Sequence, residues 1–275
     1  MTSTAFFTVK TITDNLRRVT FANPPVNLMG ADAAIELAGV MDALSRDENV
    51  KAAVFDSSVD GYFYNHADLT QIPRLLAFTA DDGTPGWVDL ASRIASAPFI
   101  TIALIRGHTR GGGDEIALAF DLRYASRQKA TFGQLEVGTG LIPGGGGTDR
   151  LARLLGRDRA LEAIMSGMDY DADTAEAFGW VTRTLADDDL DGFVDTIARR
   201  IASFDKEAIL GAKAQINRAT LPPKADLLSS WNEFVESLNF PGFPQRIQAF
   251  GQLIDQEGLL KVEDNLGAYL GSPNA

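Results

Sequence analysis

Two segments, KAAVFDSS (51–58) and PFITIALIRG (98–107), are apolar without alternation. A strand with one face in water shows a period of two, so a strand apolar at successive positions must be covered on both faces. Such strands belong to a parallel sheet whose crossovers place helices above and below it. The neighbouring segments supply those helices. AAIELAGVMDALSRD (33–47) carries apolar residues at helical spacing, DGTPGWVDLASRIASA between the two strands reads as a loop and a helix, and GGGDEIALAFD (111–121) reads as a helix opened by glycines. FFTVKTI (6–12) and RRVTF (17–21), separated by the turn TDN, read as a hairpin, and NPPVN (23–27) as a proline-stiffened loop. LRYAS (122–126) and ATFG (130–133) read as further strands.

From about residue 149 the pattern is almost wholly helical, interrupted only by WVTRTL, and apolar residues recur at three and four. Such a stripe faces a core or a partner subunit. The expected architecture is therefore an α/β core over 1–200 and a helical region over 201–275, without internal repeats. At 275 residues the chain can bury a large core. It has no cysteine, which excludes disulfides, Cys-ligated zinc, iron–sulfur clusters and a thiol nucleophile. Its only histidines are His66 and His108, so a metal site would have to rely on carboxylates, and none is expected. The net charge of −12 argues against nucleic acid, whose affinity comes from Lys and Arg on phosphates. Any polyanionic ligand must be met by a local basic patch or by backbone amides. The N-terminus lacks the pattern of a signal peptide, and the longest apolar runs fall well short of the roughly 20 residues of a membrane helix. A cytoplasmic protein independent of membranes is expected.

Two glycine-rich turns carry the chemistry. Gly111-Gly112-Gly113 follows a strand and opens a helix. Glycines there leave N–H groups free and remove side chains from the path of a ligand, and the helix N-terminus adds positive potential. Such a turn either stabilises negative charge developing on a carbonyl oxygen or simply allows tight strand-to-helix packing. No Lys-Ser/Thr pair follows the glycines, and neither G-x-G-x-x-G nor G-x-S-x-G is present at them. That leaves phosphate-loop, dinucleotide and serine-hydrolase readings without support. Asp114 reads as an acid compensating the helix dipole, whereas Glu115, three residues after Gly112, shares the face addressed by the free amides. The second turn runs from Gly138 to Gly147 with four consecutive glycines at 144–147, and Glu136 precedes it. Two acids, each beside a glycine turn, form the pair that general acid–base work on a carbon framework requires.

In these segments the chain resembles the crotonase superfamily, the enoyl-CoA hydratases and isomerases. RGHTRGGGDEIALAFDLRYAS is similar to the family's N-G-x-x-x-G-G-G-x-E-L-A-L-x-C-D, and FGQLEVGTGLIPGGGGTDRLARLLG to F-G-x-P-E-x-x-x-G-x-x-P-G-x-G-G-T-x-R-L. RALEAIMSGMDYDADTAEAFGWVTRTL is similar to A-x-E-x-x-x-T-G-x-x-x-x-A-x-x-A-x-x-x-G-L-V. The resemblance implies a β/α spiral core with a C-terminal helical trimerisation region. It implies an acyl-CoA substrate, coenzyme A entering with that substrate, no separate cofactor, and a homotrimer or dimer of trimers.

Carried onto this sequence, the resemblance places the oxyanion amides at Ala67 and Gly112 and the catalytic acids at Glu115 and Glu136. It gives Gly144 the amide that helps hold the reacting water, and Asn65 a carbonyl against the adenine of CoA. The activity it implies is hydration of trans-2-enoyl-CoA to 3-hydroxyacyl-CoA, with Glu115 activating water and Glu136 delivering a proton to Cα. Double-bond isomerisation and carbon–carbon bond hydrolysis are the alternatives within the superfamily. The chain departs from the family at Asn65-His66-Ala67-Asp68, where A-G-x-D is usual, so that a histidine replaces the glycine beside the first oxyanion amide. His108 stands where many members have an aromatic or apolar residue. His66, Asp68 and His108 are accordingly candidate substrate contacts. Arg17, Arg18 and Lys261 are candidates for the CoA phosphates.

Overall fold

The computed structural model describes the backbone of residues 2, 3 and 5–271. β1 (Thr2–Ser3), β2 (Phe7–Thr13) and β3 (Leu16–Phe21) run antiparallel, as the hairpin pattern predicts. Next along the chain come α1 (Ala31–Arg46), β4 (Ala52–Ser57), α2 (Ile72–Ala77), α3 (Gly86–Ala95), β5 (Ile100–Ile105) and β6 (His108–Arg110). Then follow α4 (Gly111–Ala117), β7 (Leu122–Ser126), β8 (Thr131–Gly133), α5 (Gly147–Leu155), α6 (Arg157–Ser166), β9 (Tyr170–Asp171), α7 (Ala172–Phe178) and β10 (Arg183–Leu185). The rest is helical: α8 (Asp187–Ala202), α9 (Lys206–Thr220), α10 (Lys224–Ser237), α11 (Gly242–Glu257), α12 (Leu259–Asp264) and α13 (Leu266–Leu270).

The main sheet has the order β1-β2-β3-β4-β5-β7-β10, parallel from β3 onward. Its buried strands alternate between two apolar layers, which is why their sequences show no polar period. Ala53, Phe55, Ala103 and Ile105 face the large core shared with α1 and α3. Ala52, Val54, Ile102 and Leu104 face a second core closed by Leu190, Val194 and Ala198 of α8. A small sheet of β6, β8 and β9 lies beside the main one, with Tyr62 bridging to His108 at its margin. The chain thus lays a segment in the main sheet and next a segment in the small one, at β4 and Tyr62, β5 and β6, β7 and β8. That repeated step is the β/α spiral.

Sequence and structure differ at several points. ATFG joins the small sheet rather than the main one, and the short strands β6 and β9 and helix α2 have no periodicity long enough to read. The helix expected over 111–121 ends at Ala117, and Asp121 lies beyond it. Its carboxylate accepts from Thr101 N–H (2.8 Å), Thr101 Oγ1 and Lys213 Nζ (2.7 Å). Arg17 is paired with Asp47 at 2.6 Å, and Arg18 with Asp56 and Asp191 beside α8. Both arginines are committed on the sheet, so they are not the free cations that the CoA-phosphate reading requires. No helix among the described residues is long and apolar enough to cross a membrane.

Lys213 fastens α9 to the core. Its ammonium is buried and donates to Ala97 O, Phe99 O and Asp121. Replacing it by Met leaves Asp121 without its counter-charge, and loss of one member of a buried pair costs about 3 kcal/mol or more. Urea unfolding of Lys213→Met is expected to show that loss. A stability within about 0.5 kcal/mol of the wild type would refute the role assigned to the pair.

Candidate active site

Both glycine turns predicted from sequence face one pocket, lined by His66, Ala67, Gly111, Gly112, Glu115, Glu136, Gly144 and Gly145. The reason glycine is required is steric. Gly111 has φ +47°, and a Cβ on it would lie 2.9 Å from Glu136 Oε1 and 3.3 Å from His66 Cβ. A Cβ on Gly113 would lie 1.9 Å from Asn65 O, so the start of α4 packs directly on the 64–65 backbone. A Cβ on Gly112 would lie 3.0 Å from Ala67 Cβ and 3.3 Å from Ala67 N. The Ala67 and Gly112 amides therefore meet at one place, and neither N–H donates to another group among the described residues. Two free amides on a helix N-terminus can hold an oxygen bearing negative charge.

Glu115 projects from α4 and is buried. Its Oε1 accepts from the N–H of Gly145 (2.8 Å) and of Gly147 (3.0 Å), which couples the first glycine turn to the second. Arg150 supports the second turn from below, donating to Gly145 O at 3.0 Å. The other oxygen, Oε2, lies with the Trp87 indole against Gly145, each 2.4 Å from where a Cβ there would sit. Glu136 opens a 3₁₀ turn (Glu136–Thr139), and its Oε2 accepts from Gln134 Nε2 at 2.8 Å. Burial, and next the charge of Glu136, push the Glu115 carboxyl up to about 8, and burial raises Glu136 as well. Two such carboxyls share a proton at neutral pH, and the form with Glu115 ionised and Glu136 protonated is the one in which the first accepts a proton and the second donates.

Asp114, adjacent to Glu115, points away from this chemistry. It is buried and accepts from Trp180 Nε1 at 3.0 and 3.1 Å, so it anchors the helix to the core rather than merely compensating a dipole. Asn65, Asp68 and His108 do not line the pocket. The Asn65 amide donates to Val26 O and Glu263 Oε2, and Asp68 caps the 3₁₀ turn Leu69–Gln71. His108 packs against Tyr62 with the two rings tilted, and burial, with Arg110 close by, lowers its pKa to about 4. Lys261 is exposed on α12 and paired with Glu257. His66 does line the pocket. Its Nε2 lies 3.1 Å from Glu263 Oε1, and its Nδ1 lies 2.9 Å from Ala67 O. Among the described residues no group of three or more His, Asp or Glu is arranged to hold a metal ion.

The remaining walls are apolar and come from distant segments: Leu75 and Leu76 of α2, Trp87 of α3, and Trp231 and Phe234 of α10, with Ile247 and Phe250 of α11 above them. A Cβ on Gly144 would lie 2.4 Å from Phe234 Cβ, so α10 rests directly on the second glycine turn. The family resemblance assigns the walls to the region around 70–95 and to the C-terminal helices, but no residue pattern in these helices marks which side chains line the pocket. Their apolar stripes are the same signal that a core or a subunit interface gives.

The family described as enoyl-CoA hydratase/isomerase matches residues 11–237. A probable enoyl-CoA hydratase of Mycobacterium avium is 30% identical over 209 residues, 76% of this chain and 80% of that protein. The crystal structure of a putative enoyl-CoA hydratase from Streptomyces avermitilis is 36% identical, covers 100% of this chain and 99% of that one, and superposes with a TM-score of 0.93. An enoyl-CoA hydratase structure from Mycobacterium avium subsp. paratuberculosis is 26% identical over 90% of this chain and 100% of that one, with a TM-score of 0.80. Two glycine turns that meet over buried Glu115 and half-buried Glu136, on a β/α spiral shared along the whole chain, place this protein in the enoyl-CoA hydratase/isomerase family of the crotonase superfamily.

Proposed function

We propose that the protein hydrates trans-2-enoyl-CoA thioesters to 3-hydroxyacyl-CoA. The observation that carries this reading is the placement of Glu115 and Glu136 on one pocket beside the free amides of Ala67 and Gly112. The amides accept the thioester oxygen and draw electron density from the double bond, which leaves Cβ electrophilic. Glu115, oriented by two backbone N–H groups, takes a proton from water as the water oxygen bonds to Cβ. The enolate so formed is protonated at Cα by Glu136. Each turnover moves one proton onto Glu115 and one off Glu136, and exchange with solvent restores the pair. Only protons and a hydroxyl are transferred, so the reaction needs no redox cofactor, and coenzyme A serves as the handle of the substrate. The apolar walls of Leu75, Leu76, Trp87, Trp231 and Phe234 suit a hydrocarbon acyl chain. Isomerisation and carbon–carbon hydrolysis use the same oxyanion site, and the second carboxyl is what favours hydration over them.

With crotonyl-CoA as substrate, loss of the ultraviolet absorbance of the conjugated thioester is the assay. Glu115→Gln and Glu136→Gln are each expected to lower kcat by about 100-fold or more. Wild-type turnover in either variant would defeat the two-acid mechanism, and an intact crotonyl-CoA signal with rapid isomerisation of a 3-enoyl thioester would move the assignment to the isomerases.

The pH dependence follows from the shared proton. Raising the pH through about 8 removes it from the pair, leaving no acid for Cα, so kcat/KM should fall on the alkaline side near that value. A profile flat to pH 10 would contradict it.

The family resemblance also supports a homotrimer or dimer of trimers. Leu161 and Met165, one turn apart on α6, and Met168 just beyond are exposed apolar side chains suited to burial in such an assembly. Native mass spectrometry is expected to show three or six chains, and a monomer at micromolar concentration would overturn this.

A further inference from the structure

His66 has two ring nitrogens and both face acceptors. Nδ1 is 2.9 Å from the Ala67 carbonyl, and Nε2 is 3.1 and 3.2 Å from the two carboxylate oxygens of Glu263. A neutral imidazole carries one proton and would turn a lone pair on one of these oxygens. Glu263 is not the group that supplies the missing proton. It is buried on α12, its Oε2 accepts from Asn65 Nδ2, and Arg110 donates to its backbone carbonyl. Arg110 is itself buried and forked onto Asp169 at 2.7 Å through two nitrogens. In that setting Glu263 is the anion and His66 the cation.

The orientation of this pair gives it a role. His66 lines the pocket and Glu263 does not, so the positive end faces the substrate. His66 also precedes the Ala67 amide in the chain, and it flanks Gly111 together with Glu136. In the proposed hydration negative charge travels from Glu115, through the thioester oxygen, to Glu136. We propose that Glu263 holds His66 as an imidazolium, and that this fixed cation stabilises the negative charge where the reaction delivers it, at the oxyanion amides and Glu136. His66 is thereby a positioning residue acting through the field of its charge, and Glu263 is the residue that maintains the charge. The first half stands on the hydrogen-bond geometry alone, and the second rests on the hydratase reading.

The titration behaviour agrees in direction. Burial disfavours the charged imidazole, but Glu263 and the Ala67 carbonyl outweigh it and raise the pKa of His66 above 6.5. Burial opposes the Glu263 charge too, and His66 outweighs it, lowering that carboxyl below 4.5. The other charged or titratable groups around the pair are Tyr62, Arg110, Glu136, Asp264 and His108, with Asp169 behind Arg110. Below pH 4.5 protonation of Glu263 weakens the pair, and above the raised pKa of His66 loss of the imidazolium proton does so.

Because the chain has only two histidines, nitrogen NMR of histidine-labelled protein decides the charge state without any substrate. The signal absent from His66→Asn is His66. It is expected to show both ring nitrogens protonated at pH 7, while His108 is neutral there and titrates near 4. Glu263→Gln should shift the His66 midpoint downward. A His66 that is mostly neutral at pH 7 in the wild type, or that ignores Glu263→Gln, overturns the ion pair whether or not the protein is a hydratase. The role of the charge is read with an enolisable 3-oxoacyl-CoA, whose bound enolate is followed by absorbance. Glu263→Gln is expected to lower the enolate fraction by about tenfold at pH 7.5, less than removal of a direct oxyanion donor costs. It should also move the pH midpoint of that signal in step with the NMR midpoint. An unchanged enolate fraction with a lower thermal midpoint would reduce Glu263 to a structural latch and overturn the electrostatic role. Failure of the wild type to bind any acyl-CoA would instead defeat the hydratase reading and leave the NMR result standing.

Discussion

The carboxylate of Glu115 accepts the N–H groups of Gly145 and Gly147, and much of the site depends on that contact. It is made between two segments 30 residues apart, and it requires backbone to approach side chain without an intervening Cβ. Hydrogen bonds to a charged acceptor contribute about 1.5–3 kcal/mol each, and leaving a buried carboxylate without them costs more. The glycines are therefore not slack in the chain. They are the condition under which α4 and the second turn close on one pocket, and Arg150 beneath Gly145 keeps that turn in place.

The same closeness creates the chemistry. Drawing two carboxyls into a space with little water raises both, and the charge of Glu136 raises Glu115 further. A fold that only needed the glycine packing would place an apolar residue at 115. The amides of Ala67 and Gly112 meet for a related reason. Gly113 lets the start of α4 press onto the backbone at Tyr64 and Asn65, and this carries Gly112 to Ala67.

How much of this was legible in the sequence depends on how far apart the partners lie. The doubly covered strands, the hairpin, the glycine turns and the two acids are local patterns, and the structure brings the glycine turns and both acids to one pocket. The motif resemblance then related Ala67, which has no distinctive local signature, to Gly112. What was illegible is long-range. Gln134 as the partner of Glu136, the seat of Lys213 beneath the sheet, and the aromatic walls from α10 have no spacing rule. Arg18 misled for the same reason, since a basic residue on a strand looks free until Asp56 and Asp191 are found opposite it. Asp114 misled in the other sense, because a first-turn acid is ordinarily solvated and this one is buried under Trp180.

The C-terminal segment brings these strands together. α12 gives Glu263 to His66 and Asn65 and the Glu263 carbonyl to Arg110, while Asp264 accepts from Tyr62 Oη at 2.7 Å. α13 adds Leu266 and Leu270 to the pocket, and its Gly267 N–H donates to Asp169, the acid that Arg110 grips. These polar ties run to the loop at 62–66, to Arg110 at the end of β6, and to Asp169, which Arg110 grips, so they bear on the segments that precede Ala67 and the first glycine turn. A helix more than 120 residues downstream thus bears on a pocket whose two acids and two free amides all lie between 67 and 136. In a hydrated setting these ties would be weak, since exposed ion pairs contribute little. Glu263 and Arg110 are buried, so removing either one leaves its partner, His66 or Asp169, as an unmatched charge beside the pocket. The departure from the family's usual glycine to His66 is intelligible on this ground. A side chain at that position reaches the C-terminal helix, and a glycine there could not.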